Sequence, residues 1–134
     1  MISKPIYILL LFLVASLLAL TGCASAKEVT TGMDADGTQV DLKEGQMLVI
    51  SLESNPSTGF GWHVAEIDEA IIQQAGETEF IQEESDEQLV GTGGMEVLRF
   101  EATGSGTTTL TLAYARIWED VVPEKTFTIT IVVP

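Results

Sequence analysis

The sequence predicts an all-β domain, an antiparallel sandwich of about seven to eight strands, and three observations carry that prediction. Apolar and polar residues alternate at period two in several separate runs, the pattern of a strand with one buried face. Threonine fills the outward positions of the later runs, as in Thr126, Thr128 and Thr130. Clusters of Gly, Pro and Asn separate the runs at short intervals, which suits hairpins and sandwich corners rather than crossover helices.

The 134 residues are 46% hydrophobic and 19% charged, with a formal net charge of −14. The amino-terminal end stands apart from that average. Met1 to Lys4 is a short positive segment, and Pro5 to Leu20 is apolar but for Ser16. Sixteen residues suit the core of an export signal and fall short of the ~20 needed to span a bilayer. Leu20-Thr21-Gly22-Cys23 follows and resembles the bacterial lipobox, in which the cysteine is lipidated and becomes the new terminus. Small residues before the thiol admit the signal peptidase, and only a thiol forms the thioether to lipid. The reading is therefore a lipoprotein signal peptide over residues 1–22 and lipidation at Cys23. Multiple acyl chains at one terminus hold a protein stably on a membrane. The domain would be exported and lipid-anchored to the cell membrane or outer membrane, outside the cytoplasm. Ala24, rather than Asp, after the cysteine fits the outer membrane by analogy.

Residues 23–38 would then comprise the lipidated cysteine and a flexible tether, since 24–38 are small, polar and punctuated by glycine. The domain proper is expected over 39–134. Leu48, Ile50 and Leu52 share one face of the first strong strand. Further strands are expected over 60–65, 78–83 and 95–101, then a long one over 107–117 with Leu110, Leu112 and Tyr114 inward. The last carries Phe127, Ile129, Ile131 and Val133 inward. Only Asp68 to Gln74 suits a short helical turn. Trp62 alternates with Phe60 and belongs to the core, whereas His63 faces the opposite way, to solvent.

Composition excludes several functions. Lys4 is the only charge among the first 22 residues, so the remainder carries five basic and 20 acidic side chains. Nucleic acid is excluded as a partner, because phosphate contacts need a basic surface. One cysteine and one histidine provide neither an internal disulfide nor a thiolate or histidine metal cluster. No cofactor is expected. The run Glu83-Glu84-Ser85-Asp86-Glu87 does not match a calcium loop and reads as a solvated segment that could favour partners with basic clefts.

Three segments between the strands stand out. Asn55-Pro56-Ser57-Thr58-Gly59-Phe60 is a stiff loop: Pro56 fixes φ, Asn55 bonds its own backbone, and Gly59 permits positive φ. Gly91-Thr92-Gly93-Gly94 exposes backbone groups to an approaching partner. It has no Lys and no following helix, so it is not a phosphate cradle. Arg116-Ile117-Trp118 places an Arg and a Trp where the long strand runs out, the composition of a binding hot spot. Taken singly, the first two read more simply as a sandwich corner and a plain flexible loop, and the third equally as a Trp folded onto the sandwich edge.

Together and in this order, the three segments resemble the chagasin family of cysteine-peptidase inhibitors, and the resemblance spans about residues 38–134. That family carries an Asn-Pro-Thr-Thr-Gly-aromatic loop, a Gly-x-Gly-Gly loop and an Arg-Pro-Trp/Phe loop. Here Ser57 replaces the first Thr, a mild change, and Ile117 replaces Pro, which loosens the third loop. The resemblance implies an immunoglobulin-like sandwich whose three loops enter the active cleft of a papain-like (clan CA) cysteine peptidase as a wedge. Ser57 and Thr58 would lie against the catalytic Cys–His pair, with Pro56 and Gly59 shaping the loop. The Gly91–Gly94 backbone would bond the substrate groove on one side. Trp118 would stack on the other side, supported by Arg116. Inhibition would be reversible, competitive and non-covalent, by a monomer that is not an enzyme.

Two other classes remain open at this stage. A cell-envelope lipoprotein could carry the same sandwich as an adhesion or assembly module without a peptidase target. A hydrolase would need a base beside Ser57 or Thr58, and the sequence offers no such constellation.

Overall fold

The structure, a computed structural model, describes residues 27–83 and 93–134. These form nine strands: β1 (Glu28–Thr31), β2 (Gln39–Asp41), β3 (Met47–Ser54), β4 (Gly61–Glu66), β5 (Ile72–Gln74), β6 (Glu79–Gln82), β7 (Gly94–Ala102), β8 (Gly106–Ala115) and β9 (Lys125–Val133). One sheet runs β1-β3-β7, with β5 and β6 sharing the far edge of β7; the other runs β2-β9-β8-β4. The all-β sandwich expected from the alternation is therefore present.

The period-two pattern sets the core. Leu48, Ile50 and Leu52 of β3 and Leu98 and Phe100 of β7 face Leu110, Leu112, Phe127, Ile129 and Ile131 of the other sheet, all at most 1% exposed. Each such side chain contributes about 1.5–3 kcal/mol by leaving water. The threonines of β9 stay outside this layer: Thr128 and Thr130 are half-buried on the opposite face, and Thr126 is exposed. Trp62 is buried and His63 exposed, as their alternation requires.

Three details differ from the sequence reading. The segment read as a flexible tether is folded from Lys27 onward. β1 pairs in parallel with β3, in register from Glu28↔Met47 to Thr31↔Ile50. A 3-10 turn at Met33–Ala35 follows. Gly37 N–H then bonds the Thr128 carbonyl, and the Asp36 carboxylate accepts from Thr128 N–H. β2 pairs in parallel with β9, so the sandwich is not antiparallel throughout. These short polar strands cover sheet edges through backbone bonds and add little apolar surface, which hides them from a hydrophobicity pattern. Third, Asp68–Gln74 is not one helical segment. A single turn, closed by bonds from Ile71 and Ile72 N–H to the Asp68 carbonyl, leads into β5. Ile72 is fully buried and pairs with Ala102, so burial of one β-branched side chain decides for strand.

Register fixes where the connections lie. Ser54 pairs with Gly94, Gln82 with Gly94, Gly61 with Ala115 and Tyr114 with Lys125. The β3–β4, β6–β7 and β8–β9 connections therefore leave from one end of the sandwich, and the described residues of the three segments singled out in the sequence belong to that end.

Candidate functional site

The β3–β4 connection crosses from one sheet to the other. Pro56–Thr58 makes one 3-10 turn and Gly59 closes it in the left-handed region at φ 83°. Pro56 stands in the first turn, where its missing N–H costs nothing. Ser57 Oγ donates to Asn55 Oδ1 at 2.6 Å, and Thr58 Oγ1 donates to the Asn55 carbonyl, also at 2.6 Å. Both hydroxyls are thus turned back into their own loop, which they stiffen. Pro56, Ser57 and Thr58 are exposed at the tip.

An aromatic column lies beneath this loop. Phe60 stacks on Tyr114 with ring centroids 5.4 Å apart, and Tyr114 meets Trp62 at 5.2 Å. The Tyr114 hydroxyl accepts the Asn55 N–H at 3.0 Å. Trp62 is held in turn: its indole N–H donates to the Glu53 carbonyl, and its backbone N–H donates to a Glu96 carboxylate oxygen, both at 3.0 Å. The sequence reading placed Tyr114 and Trp62 in the core but missed their part in positioning the loop. Glu96 it missed altogether. An acidic residue at an inward strand position was the available signal.

Arg116 reaches back to the first loop. Its Nε donates to the Thr58 carbonyl at 2.9 Å, its guanidinium lies 4.4 Å from the Phe60 ring centroid, and its Nη1 meets Glu119 at 3.1 Å. The sequence reading gave Arg116 the task of supporting Trp118. The structure has it clamp the third loop onto the first, because the Thr58 carbonyl and the Phe60 face offer a hydrogen bond and a cation–π contact together. Trp118 rests on Gly59: a Cβ built there would lie 2.7 Å from the indole Cη2. Gly59 is therefore required twice, by its φ and by the indole above it.

The third loop carries more apolar surface than its three-residue motif announced. Ile117 is 73% exposed, Trp118 69%, Val121 63% and Val122 89%. Four large apolar side chains presented to water by one connection are a binding surface in composition. The sequence contained the signal, a Val-Val pair between an acidic pair and a Pro.

Of the second segment, Gly91 and Thr92 lie outside the described residues, as does most of the acidic run, 84–87. Gly93 is half-buried, and its carbonyl accepts Glu83 N–H at 3.3 Å. Gly94 is not a loop residue. It is the buried first residue of β7, and any Cβ there would collide with the Ile81 carbonyl oxygen and the Phe80 ring. Its role is close packing under β6. Between the first and second segments lies an open cleft of about 320 Å³, lined by Glu53, Asn55, Glu83, Gly93, Tyr114 and Lys125 among others. Lys125 Nζ sits 5.5 Å from the Tyr114 ring centroid. Among the described residues, no group of three His, Cys, Asp or Glu side chains is placed to hold a metal ion.

The end of the sandwich is thus a pre-set surface: a stiff central turn, an indole laid over its glycine, and an arginine joining the two. Residues 41–131 match the Chagasin family peptidase inhibitor I42. Chagasin of Trypanosoma cruzi is 30% identical over 87 residues, covering 62% of this chain and 76% of that protein. The structure of the cysteine protease inhibitor EhICP2 from Entamoeba histolytica superposes with a TM-score of 0.71 at 23% identity, covering 80% of this chain and 96% of the other. PbICP-C, solved in complex with falcipain-2, superposes at 0.51 with 18% identity, covering 84% and 95%. On the family match over most of its folded length, the chain belongs to the chagasin family of peptidase inhibitors.

Proposed function

We propose that this protein is a reversible, non-covalent, competitive inhibitor of papain-like cysteine peptidases. The observation that carries the reading is the joined first and third loops, in which Arg116 bonds the Thr58 carbonyl and Trp118 covers Gly59. A loop already fixed in shape loses little entropy on binding. Asn55–Phe60 forms the centre of the wedge and blocks the catalytic Cys–His pair by occupying the cleft. The internal bonds of Ser57 and Thr58 leave neither hydroxyl poised as a nucleophile. Trp118 and Ile117 lie to one side and stack on apolar cleft surface. The backbone of Gly91–Gly93 meets the groove on the other side, and Gly94 seats that segment on β7. The inhibitor acts as a monomer.

The membrane attachment is part of the same proposal. Supporting it are the apolar run Pro5–Leu20 and the Leu20-Thr21-Gly22-Cys23 sequence. Lipid on Cys23 would hold the inhibitor outside the cytoplasm, on the cell membrane or the outer membrane.

The experiment is a titration of residues 24–134 into papain and a cathepsin-L-like enzyme, following hydrolysis of a peptide substrate. Competitive inhibition is expected, and Trp118→Ala should weaken it by ~2 kcal/mol or more, as truncation of a hot-spot residue does. Folded protein that leaves both enzymes uninhibited at micromolar concentration would overturn the reading.

A further inference from the structure

We infer that the amino-terminal attachment holds the domain by the end opposite its inhibitory loops, so that the wedge points away from the membrane toward peptidases free in the surrounding aqueous phase. The inference rests on the proposed membrane attachment and adds an orientation and a class of target to it.

The parallel pairing of β1 with β3 carries the orientation. β3 runs from Met47 to Ser54 and delivers the chain to the first loop. Because β1 runs the same way, Glu28 lies beside Met47, at the far end from that loop. The carboxyl terminus leaves from the same far end, since Val133 pairs with Gly106 while Lys125 pairs with Tyr114. Ten residues of β8 separate the two ends, about 30 Å at ~3.3 Å per residue.

The attachment is short. β1 begins at Glu28, so only Ala24, Ser25, Ala26 and Lys27 lie between Cys23 and that strand. The five backbone steps from Cys23 to Glu28 reach at most about 18 Å, less than the length of the domain. They cannot carry the loop end round to the bilayer while the base stays clear of it. An uncleaved apolar segment over 5–20 would attach the domain from the same end.

Surface chemistry agrees with this arrangement. The base holds Lys27 and Lys43 against Glu28, Glu44, Asp68, Glu69 and Glu101. None of the exposed large apolar side chains of the described residues lies there. This face has nothing to insert into lipid and is repelled by anionic headgroups, so acyl chains alone would hold it. The apolar side chains of Ile117, Trp118, Val121 and Val122 crowd the other end, where they meet a protein rather than the membrane that bears the anchor.

The test uses the full chain, exported and purified in detergent, then added to preformed vesicles of phosphatidylethanolamine and phosphatidylglycerol. Two variants, Glu44→Cys at the base and Val122→Cys at the loop end, receive a fluorophore, and the vesicles carry a nitroxide headgroup quencher. The label at position 44 should be quenched strongly and that at 122 weakly. Inhibition of soluble papain by the unlabelled protein should change by less than about twofold between detergent and vesicles. Equal or stronger quenching at position 122, or a loss of inhibition of about tenfold on vesicles, would overturn the orientation. Protein that does not associate with the vesicles would overturn it by removing the attachment. Failure to inhibit papain even in detergent would remove the inhibitor reading instead, while the two labels would still decide which end faces lipid.

Discussion

Arg116 and Thr58 stand 58 residues apart in the chain and are joined by a 2.9 Å hydrogen bond from the guanidinium Nε to the carbonyl oxygen. The bond makes one surface of two loops that leave different strand pairs. Lysine keeps the charge at position 116 but not the planar donor that bonds Thr58 while stacking on Phe60. Arg116→Lys should therefore weaken inhibition by about 1 kcal/mol or more, the worth of a hydrogen bond to a charged group. Stability should fall by no more than about 1 kcal/mol, the worth of the lost bond to Thr58, because the Arg116–Glu119 surface pair contributes little. An inhibition constant equal to that of the parent would show that the clamp is dispensable.

Gly59 carries two constraints that a pair of variants separates. Gly59→Ala introduces left-handed strain of about 1–2 kcal/mol and drives a methyl into the Trp118 indole. Gly45 has a similar φ, 87°, lies at the base, and would place its Cβ in open space. Gly45→Ala should therefore lower stability by a like amount and leave inhibition unchanged. Gly59→Ala should lower both. Equal inhibition by the two variants would mean that the position of Trp118 is immaterial.

The Tyr114 hydroxyl is the acceptor for Asn55 N–H beneath the central loop. Tyr114→Phe keeps the ring stack and removes that acceptor. Urea denaturation should register a loss of about 1 kcal/mol, and amide exchange at Asn55 should quicken. Unchanged exchange there would show that the loop keeps its shape without the tyrosine.

Val121 and Val122 offer a direct test of how far the binding surface extends. Both are exposed, so the double variant Val121→Ser, Val122→Ser should leave the melting temperature unchanged. If the cleft covers them, inhibition should weaken by about 1–3 kcal/mol, the scale of two partly buried apolar side chains. Unaltered inhibition would end the surface at Trp118.

Residues 27–38 are folded onto the sandwich rather than trailing from it. A soluble form that begins at residue 39 loses the parallel pairing of β1 with β3 and the half-buried Val29. Thermal unfolding should show a loss of at least about 1–2 kcal/mol relative to residues 24–134. The uncovered edge of β3 should also make the shorter form more prone to associate. Equal stability of the two forms would return this segment to the role of tether.

What the sequence disclosed and what it withheld divide along one physical line. Wherever a strand buries a full face, as β3, β8 and β9 do, alternation locates it within a residue or two. β1 and β2 bury little and are held by backbone bonds, which leave no mark on side-chain pattern. The loops were legible as motifs because Pro56 and Gly59 fix backbone angles locally. The contacts between loops were not, because the partner of Arg116 is a carbonyl oxygen, which every residue possesses. Gly94 misled for a related reason. Glycine serves both an open loop and a crowded strand, and only the Ile81 carbonyl and the Phe80 ring against it decide between them.

The two tryptophans of the chain, Trp62 and Trp118, stand in opposite surroundings, one 3% exposed and the other 69%. The molecule therefore carries two intrinsic optical probes with separate duties. Emission from Trp62 reports whether the sandwich is intact, since it changes only when the core opens. Emission from Trp118 reports whether the loop end is occupied, since that indole loses its water only when something covers it. Replacing either one by phenylalanine would leave a single-colour gauge, of folding in one case and of engagement in the other, without attaching any dye.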